Sequence, residues 1–307
     1  MSKAFPALSN IARAFLAIPR PRPPYPAPSD LAGWRAMIDR FDFASLAQAR
    51  AKHGDEPAGV ERDGRFFLAR AQDPFPSFVG RIVLFFHGGG LVFHSGPIIG
   101  YLAMIEARRL RLDIAALDFR QPPDHPFPAA MEDALAAYRQ LLERYDPAHI
   151  CFMASSGGAN PAVSSLYRAR EEGLPPPAGL ILINPMIDLT ESGPSFTENA
   201  DDSALPGGMW EAGALYAGGH PLDDPYVSHL FGDPTGFPPT VLQTGEYDVM
   251  LSNAVRFYEA LAARGVPAQL HIRPACPHGG FGGMSPEDDD ARRVLKRFFL
   301  ALWHDGS

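Results

Sequence analysis

Two cysteines, Cys151 and Cys276, are all that the 307 residues contain. So few exclude a disulfide scaffold and a cysteine-rich zinc site, and they fit a reducing compartment. No run of about 18 apolar residues occurs, so no transmembrane helix is expected. Lys and Arg number 27 against 35 Asp and Glu, a formal charge of −8, and the basic residues form no cluster. That balance lacks the electrostatic footprint of a nucleic-acid or anionic-membrane binder. The apolar stretch from Ile11 to Ile18 is broken by Arg13 and followed by Arg20, Pro21 and Arg22. A secretory signal needs a cleaner apolar core and a small-residue cleavage site. The segment therefore reads as part of the mature chain, and the expected location is cytoplasmic.

What is present is ordinary for a globular protein: 46% apolar and 20% charged residues. The length predicts about two domains, or one large α/β domain with an accessory piece. The proline-rich segment Pro19 to Pro28 cannot be helix. It reads as a connector between an N-terminal helix and a second one near Leu31 to Arg40. A second irregular region runs from Met186 to Pro239, with Gly207-Gly208, Gly218-Gly219 and one helix near Met209 to Tyr216.

Between these regions short apolar runs predict buried strands: Arg81–Phe86, Ile114–Asp118, Ile150–Met153, Leu180–Ile183, Thr240–Thr244 and Gln269–Ile272. They lack polar alternation, as parallel strands covered on both faces do. Helical periodicity separates them, in Met131 to Tyr145, Val255 to Ala262 and Val294 to Leu302. The alternation predicts a doubly wound, mostly parallel α/β sheet. Val60–Arg62 and Arg65–Leu68 flank Asp63-Gly64, a hairpin signal at one sheet edge.

The chemistry concentrates at predicted strand ends. After the strand at Ile150 comes Ala154-Ser155-Ser156-Gly157-Gly158, then a helix from about Asn160. This is a small-x-Ser-x-Gly elbow, with alanine at the first glycine position. Residues two before and two after the nucleophile must be small. Ser156 satisfies this with Ala154 and Gly158, whereas Ser155 has Met153 upstream. The plain alternative is a packing turn. A second strand ends in His87-Gly88-Gly89-Gly90. Three glycines let amide groups face a ligand, and amides aimed at a developing oxyanion are each worth on the order of 3 kcal/mol. Gly88, Gly89 and Gly157 are the expected donors, with His87 and Gly90 supporting the loop. The alternative, a phosphate cradle, is disfavoured because neither nucleotide-loop pattern occurs here.

A serine hydroxyl needs a base to take its proton, and the base needs a carboxylate to fix its tautomer. His278, in the loop after Gln269–Ile272, is the candidate base; His271 lies inside that strand. Asp248, past the strand Thr240–Thr244, is the candidate carboxylate, with Glu246 as rival and Asp223 or Asp224 as weaker ones. All lie where open α/β sheets place their sites.

These pieces together resemble the hormonesensitive-lipase-like carboxylesterases of the α/β-hydrolase superfamily. The resemblance rests on Phe86-His-Gly-Gly-Gly-Leu-Val-Phe93, on Leu117 to Ala129, on the elbow, and on Asp224-Pro-Tyr-Val-Ser228, Gly245 to Leu251 and Pro277-His278. It implies Ser156 as nucleophile, His278 as base, Asp248 as its partner, and Gly88, Gly89 and Gly157 as oxyanion donors. It also implies a helical cap, from 1–50 and 186–235, over a catalytic core of 51–185 and 236–307. The usual elbow of that family reads Gly-Asp-Ser-Ala-Gly-Gly-Asn; this chain has Ala154, Ser155, Gly157 and Ala159 instead. His94 stands where glycine is frequent, and Phe119 where tyrosine is usual.

The expected activity is hydrolysis of short- to medium-chain carboxylic esters through an acyl-enzyme, with no metal or organic cofactor. The same triad also serves amidases and acyl transferases. A non-catalytic ligand-binding homologue is the reading from another class, and the retained triad speaks against it. Phe41, Phe43, Phe196, Trp210, Tyr216 and Tyr226 are pocket candidates, with ordinary packing the simpler expectation for each. The expected partners are a small-molecule ester and a second copy of the chain, paired along the edge strand Gln269–Ile272. No nucleic acid and no membrane insertion is expected.

Overall fold

A computed structural model describes residues 8–18, 24–201, 205 and 209–303. Pro19 to Pro23 of the proline-rich connector, and Gly207-Gly208, lie outside the described residues. In chain order the elements are α1 (Asn10–Leu16), α2 (Leu31–His53), β1 (Val60–Asp63), β2 (Phe66–Ala69), β3 (Ile82–Phe86) and α3 (Pro97–Leu110). They continue with β4 (Asp113–Leu117), α4 (Ala129–Leu142), β5 (Ile150–Ser155), α5 (Ala159–Glu171) and β6 (Gly179–Ile183). Then follow α6 (Ser195–Glu198), α7 (Trp210–Ala217), β7 (Thr240–Gly245), α8 (Leu251–Ala263), β8 (Ala268–Arg273) and α9 (Pro286–Leu302).

The eight strands form one sheet in the order β1-β2-β4-β3-β5-β6-β7-β8. β1 pairs antiparallel with β2, and β2 with β4; all other pairs are parallel. The expected hairpin at the edge is therefore present. Alternate residues of each strand enter different cores. In β5, Ile150, Phe152 and Ala154 join the cluster that holds α4, α5 and α8. Cys151 and Met153 join the opposite cluster, under α3 and α9. Both faces are covered, which is why these strands show no polar alternation.

Two helices differ from the sequence reading. α2 continues to His53 rather than ending near Arg40, because nothing stops it until Gly54, whose φ of 95° a non-glycine residue rarely adopts. α3 was not anticipated: its buried residues include Ile98, Ile99, Tyr101, Ala103, Met104 and Ala107. So wide a buried face blurs the three- to four-residue period.

The insertion after β6 shares the main core. Met186, Leu189, Phe196 and Tyr216 pack in the same cluster as Phe86 and Phe152, and Trp34 of α2 joins them. α1 sits elsewhere. Leu8 and Ala12 pack with Tyr247, Cys276 and Phe281, beside the loop after β8. Ser9 there donates from its backbone and hydroxyl to Glu287 of α9, at 2.7 and 2.8 Å. Among the described residues, no helix is long and apolar enough to cross a membrane.

Candidate active site

β5 runs straight into a one-turn 3₁₀ segment, Ser156–Gly158, and then α5. Ser156 makes that reversal with φ 51°, a left-handed value a non-glycine residue holds only when its surroundings impose it. The imposing group is the loop after β3. A Cβ on Gly157 would lie 2.5 Å from the Leu91 nitrogen, and one on Gly158 2.4 Å from the His87 oxygen. The strand-to-helix turn and the glycine loop thus meet backbone to backbone. Gly88 flanks the serine directly: its virtual Cβ falls 3.3 Å from Ser156 Cβ. Gly89 has φ 135°, and a Cβ there would strike the Phe93 oxygen at 2.2 Å. At Gly90 it would strike the Met209 methyl at 2.3 Å, so the insertion rests on the loop here.

Three side chains expected from the sequence converge. His278 Nε2 lies 2.9 Å from Ser156 Oγ, and His278 Nδ1 lies 2.9 Å from Asp248 Oδ1. Asp248 is wholly buried, and the other two are nearly so. A carboxylate can only accept, so Nδ1 carries the proton and Nε2 is left as acceptor for the serine hydroxyl. Asp248 is held from several sides. Its Oδ2 accepts from Asn184 Nδ2 and, at 3.4 Å, from Thr244 Oγ1; its Oδ1 accepts from the Met250 amide at 2.9 Å. Asn199, at the end of α6, donates to the backbone oxygens of Asp248 and Glu246.

The rivals are elsewhere. Glu246 Oε2 accepts from the Ala275 amide at 2.7 Å and so braces the loop that carries His278. Asp224 caps the Tyr226 amide. Ser155 ends β5 without reaching the imidazole, and its side chain lines the adjoining cavity. His271 lies in β8, as expected.

His87 is fully buried, and burial pushes its imidazole down to about 3, so it is neutral. Its Nδ1–H donates to Gly88 O at 2.8 Å, and its ring stacks on Phe119 at 4.3 Å. This is the loop-supporting position read from the sequence.

Sequence reasoning missed Asp288. It is the third residue of α9, in a capping box with Ser285. Its Oδ1 accepts from the Phe281 amide and from Arg273; its Oδ2 accepts from the amides of Gly283 and Ser285. One carboxylate thereby ties down the segment following His278. The signal was legible: Ser285-Pro-Glu-Asp288 is a capping-box pattern with proline at the first helical position.

The site opens into a cavity of about 810 Å³. Of the six aromatics expected at the pocket, Phe41 lines it, and Tyr25, Phe85 and Phe93 line it as well. Phe196 and Tyr216 are buried in the core instead, while Phe43 and Trp210 face solvent.

A family profile described as the alpha/beta hydrolase fold matches residues 83–281, well over half of the chain. The chain belongs to the α/β-hydrolase fold family. This hydrolase is 33% identical over 202 residues to an acetyl-hydrolase of Streptomyces hygroscopicus, covering 65% of this chain and 68% of that one. Its fold matches the crystal structure of an esterase, E25, with a TM-score of 0.88, 29% identity and 96% and 95% of the two chains covered. It also matches EstE7, an HSL homologue from a metagenome library, with a TM-score of 0.75, 28% identity and coverage of 88% and 98%. The hormone-sensitive-lipase-like resemblance and the fold class read from the sequence are both borne out.

Proposed function

We propose that this hydrolase cleaves small-molecule carboxylic esters with Ser156 as nucleophile. Ser156 Oγ attacks the ester carbonyl carbon as its proton passes to His278 Nε2. The negative charge that forms on the carbonyl oxygen is held by the amides of Gly88, Gly89 and Gly157, worth on the order of 3 kcal/mol per donor. His278 then returns the proton to the departing alkoxide, leaving an acyl-Ser156. Water, deprotonated by the same imidazole, attacks that acyl group, and the acid and free serine are released. Asp248 keeps the imidazole in the required tautomer and offsets its charge when protonated. Every proton is accounted for by His278 and water.

The observation that carries this reading is the unbroken chain Asp248–His278–Ser156, at 2.9 and 2.9 Å, opening beneath a loop of glycines. The esterase and acetyl-hydrolase relatives support an ester as substrate. On the same reading, the described parts of 1–50 and 186–235 act as a cap over a core of 51–185 and 236–307. Two copies pair through the outer edge of β8, the last strand of the sheet, where Ile272 is 45% exposed. Light scattering checks the pairing.

The reaction is tested on the unaltered enzyme with a nitrophenyl ester, an anilide of the same acid and an added alcohol acceptor, and on Ser156→Ala with the ester. Fast ester cleavage with slow anilide cleavage is expected of the first, and loss of ester turnover of the second. Undiminished turnover overturns the assignment, and preferred anilide cleavage or acyl transfer overturns the substrate class.

A further inference from the structure

The strand order places β6 between β5, which ends at the nucleophile, and β7, which leads to Asp248. The first residue after β6 is Asn184. It stands beside Ser156, between the two strand ends that His278 bridges. The backbone fixes this placement on both sides. Ile183 lies opposite Ser155 in the parallel ladder, the Asn184 amide donates to the Gln243 oxygen of β7 at 2.7 Å, and the Met186 amide donates to the Ser156 oxygen at 3.1 Å. Asn184 turns here with φ 50°, a left-handed value that asparagine tolerates better than most residues other than glycine.

The side chain has two unlike ends. A carboxylate only accepts, so the end that meets Asp248 Oδ2 is the Nδ2 amino group, and the amide cannot be turned round. Oδ1 is thereby fixed as the other end. The Oδ1 atoms of Asn160 and Asn253 lack a donor and are closed in by packing. That of Asn184 also accepts from none of the described residues, but it is not closed in: Asn184 lines the cavity together with Gly88, Ser156 and His278. An uncommitted acceptor therefore faces the cavity beside the nucleophile. The second half of the reaction has a use for one. The attacking water carries two O–H groups, and His278 Nε2 accepts only one of them. The glycine amides offer donors alone, so the second O–H needs an acceptor from elsewhere if the water is to stand in one orientation.

We propose that Asn184 Oδ1 orients the hydrolytic water and so commits the acyl-enzyme to water rather than to an alcohol. The inference rests on Ser156 being the nucleophile. The water oxygen bonds to the acyl carbonyl carbon as one of its protons passes to His278 Nε2. The other proton stays on that oxygen, donated to Asn184 Oδ1. The bond from the acyl carbon to Ser156 Oγ then breaks, His278 returns its proton to Oγ, and the acid leaves. An alcohol gives its single hydroxyl proton to His278 and sets an alkyl group where water has its second O–H. Asn184 Oδ1 is then left unpaired, which disfavours the transfer. One end of the amide holds Asp248, and the other end chooses the acceptor.

The test compares Asn184→Leu, close in size but without either polar end, with Asn184→Asp, which keeps an acceptor toward the cavity and loses the donor toward Asp248. Each variant is given nitrophenyl acetate in water and in rising methanol. Stopped-flow bursts separate acylation from deacylation, and the ratio of methyl ester to free acid reports which acceptor took the acyl group. In Asn184→Leu, deacylation is expected to fall about tenfold more than acylation, and the ratio to rise by about the same factor. Asn184→Asp is expected to slow both steps and to keep the ratio of the unaltered enzyme. Asn184→Gly suits φ 50° without strain and removes the same acceptor, so it repeats the measurement if circular dichroism shows the leucine variant unfolded. An unchanged ratio, or acylation and deacylation slowed by one common factor, overturns the proposal and leaves Asn184 as a prop for Asp248 alone. Mass spectrometry of the trapped acyl-enzyme keeps the two readings apart. An unchanged ratio with the acyl group on Ser156 overturns only the role in orienting water, whereas an acyl group on another residue overturns the nucleophile as well.

Discussion

His94 Nδ1 lies 3.1 Å from the carbonyl oxygen of Gly88, which already accepts from His87 at 2.8 Å. Two imidazoles thus grip one carbonyl. The Gly88 C=O and the Gly89 N–H belong to the same trans peptide plane and point in opposite directions. Holding the first aims the second, one of the proposed oxyanion donors. His94 adopts φ 68° to do this, a conformation that costs a non-glycine residue about 1 kcal/mol or more. Its own amide donates to Asp42 of α2 at 2.7 Å, and its ring lies 5.3 Å from that of Phe41, so α2 is tied to the same peptide.

Replacing His94 with alanine is expected to lower kcat by about tenfold, less than the roughly 10²–10³ of deleting a donor outright, with KM little changed. Asparagine, which keeps a donor at the Nδ1 position, should restore most of the loss; phenylalanine, which keeps only the ring, should not. Steady-state kinetics of the three variants decides it. Equal activity in all three contradicts the clamp.

Asp248→Asn removes the carboxylate that fixes the His278 tautomer. A fall in kcat on the order of 10⁴ is expected. Glu246→Gln, whose parent only braces Ala275, should cost far less. Comparing the two by single-turnover kinetics separates the partner from its sequence rival.

The acid side of the stability curve carries its own prediction. Burial pushes His87 down to about 3 and His229 down to about 4. In the unfolded chain both take up a proton below roughly pH 6.5. Between these values the unfolded state binds more protons, so stability falls as acid is added, by about 1.4 kcal/mol per pH unit for each histidine. Denaturant midpoints measured from pH 7 to pH 5 should drop accordingly, and His229→Gln should make the slope shallower. A flat profile argues against neutral burial.

Much of this was readable from the chain. The parallel strands announced themselves because β-branched and aromatic runs of four to six residues have no other economical fold. The triad was legible because each member follows a strand end, where the chemistry of a doubly wound sheet must gather. His94 was visible only as a departure from a pattern, because its partner is a backbone atom. Asp288 was legible as a capping-box residue paired with Ser285, but its further contacts to the amides of Phe281 and Gly283 are encoded by no side-chain motif.

Asp288 gives a further prediction. Its carboxyl is buried, which alone raises its proton affinity; the Phe281 amide and Arg273 outweigh this and hold it below the usual carboxylate range. A lowered folded value adds stability above roughly pH 4 that is lost as the pH falls through the folded value. Asp288→Asn leaves Arg273 facing an amide and should destabilise the protein by about 3 kcal/mol. The loop bearing His278 should loosen first, seen as faster amide exchange from 278 to 285. Unchanged exchange there contradicts the anchoring.

The most direct measurement is peptide mapping after reaction with a serine-directed phosphonate. One phosphonyl group per chain on the peptide containing Ser156, formed in parallel with loss of esterase activity and absent from His278→Ala, is the predicted result. Full inactivation with the label on another residue, or esterase activity that survives complete modification of Ser156, contradicts the account.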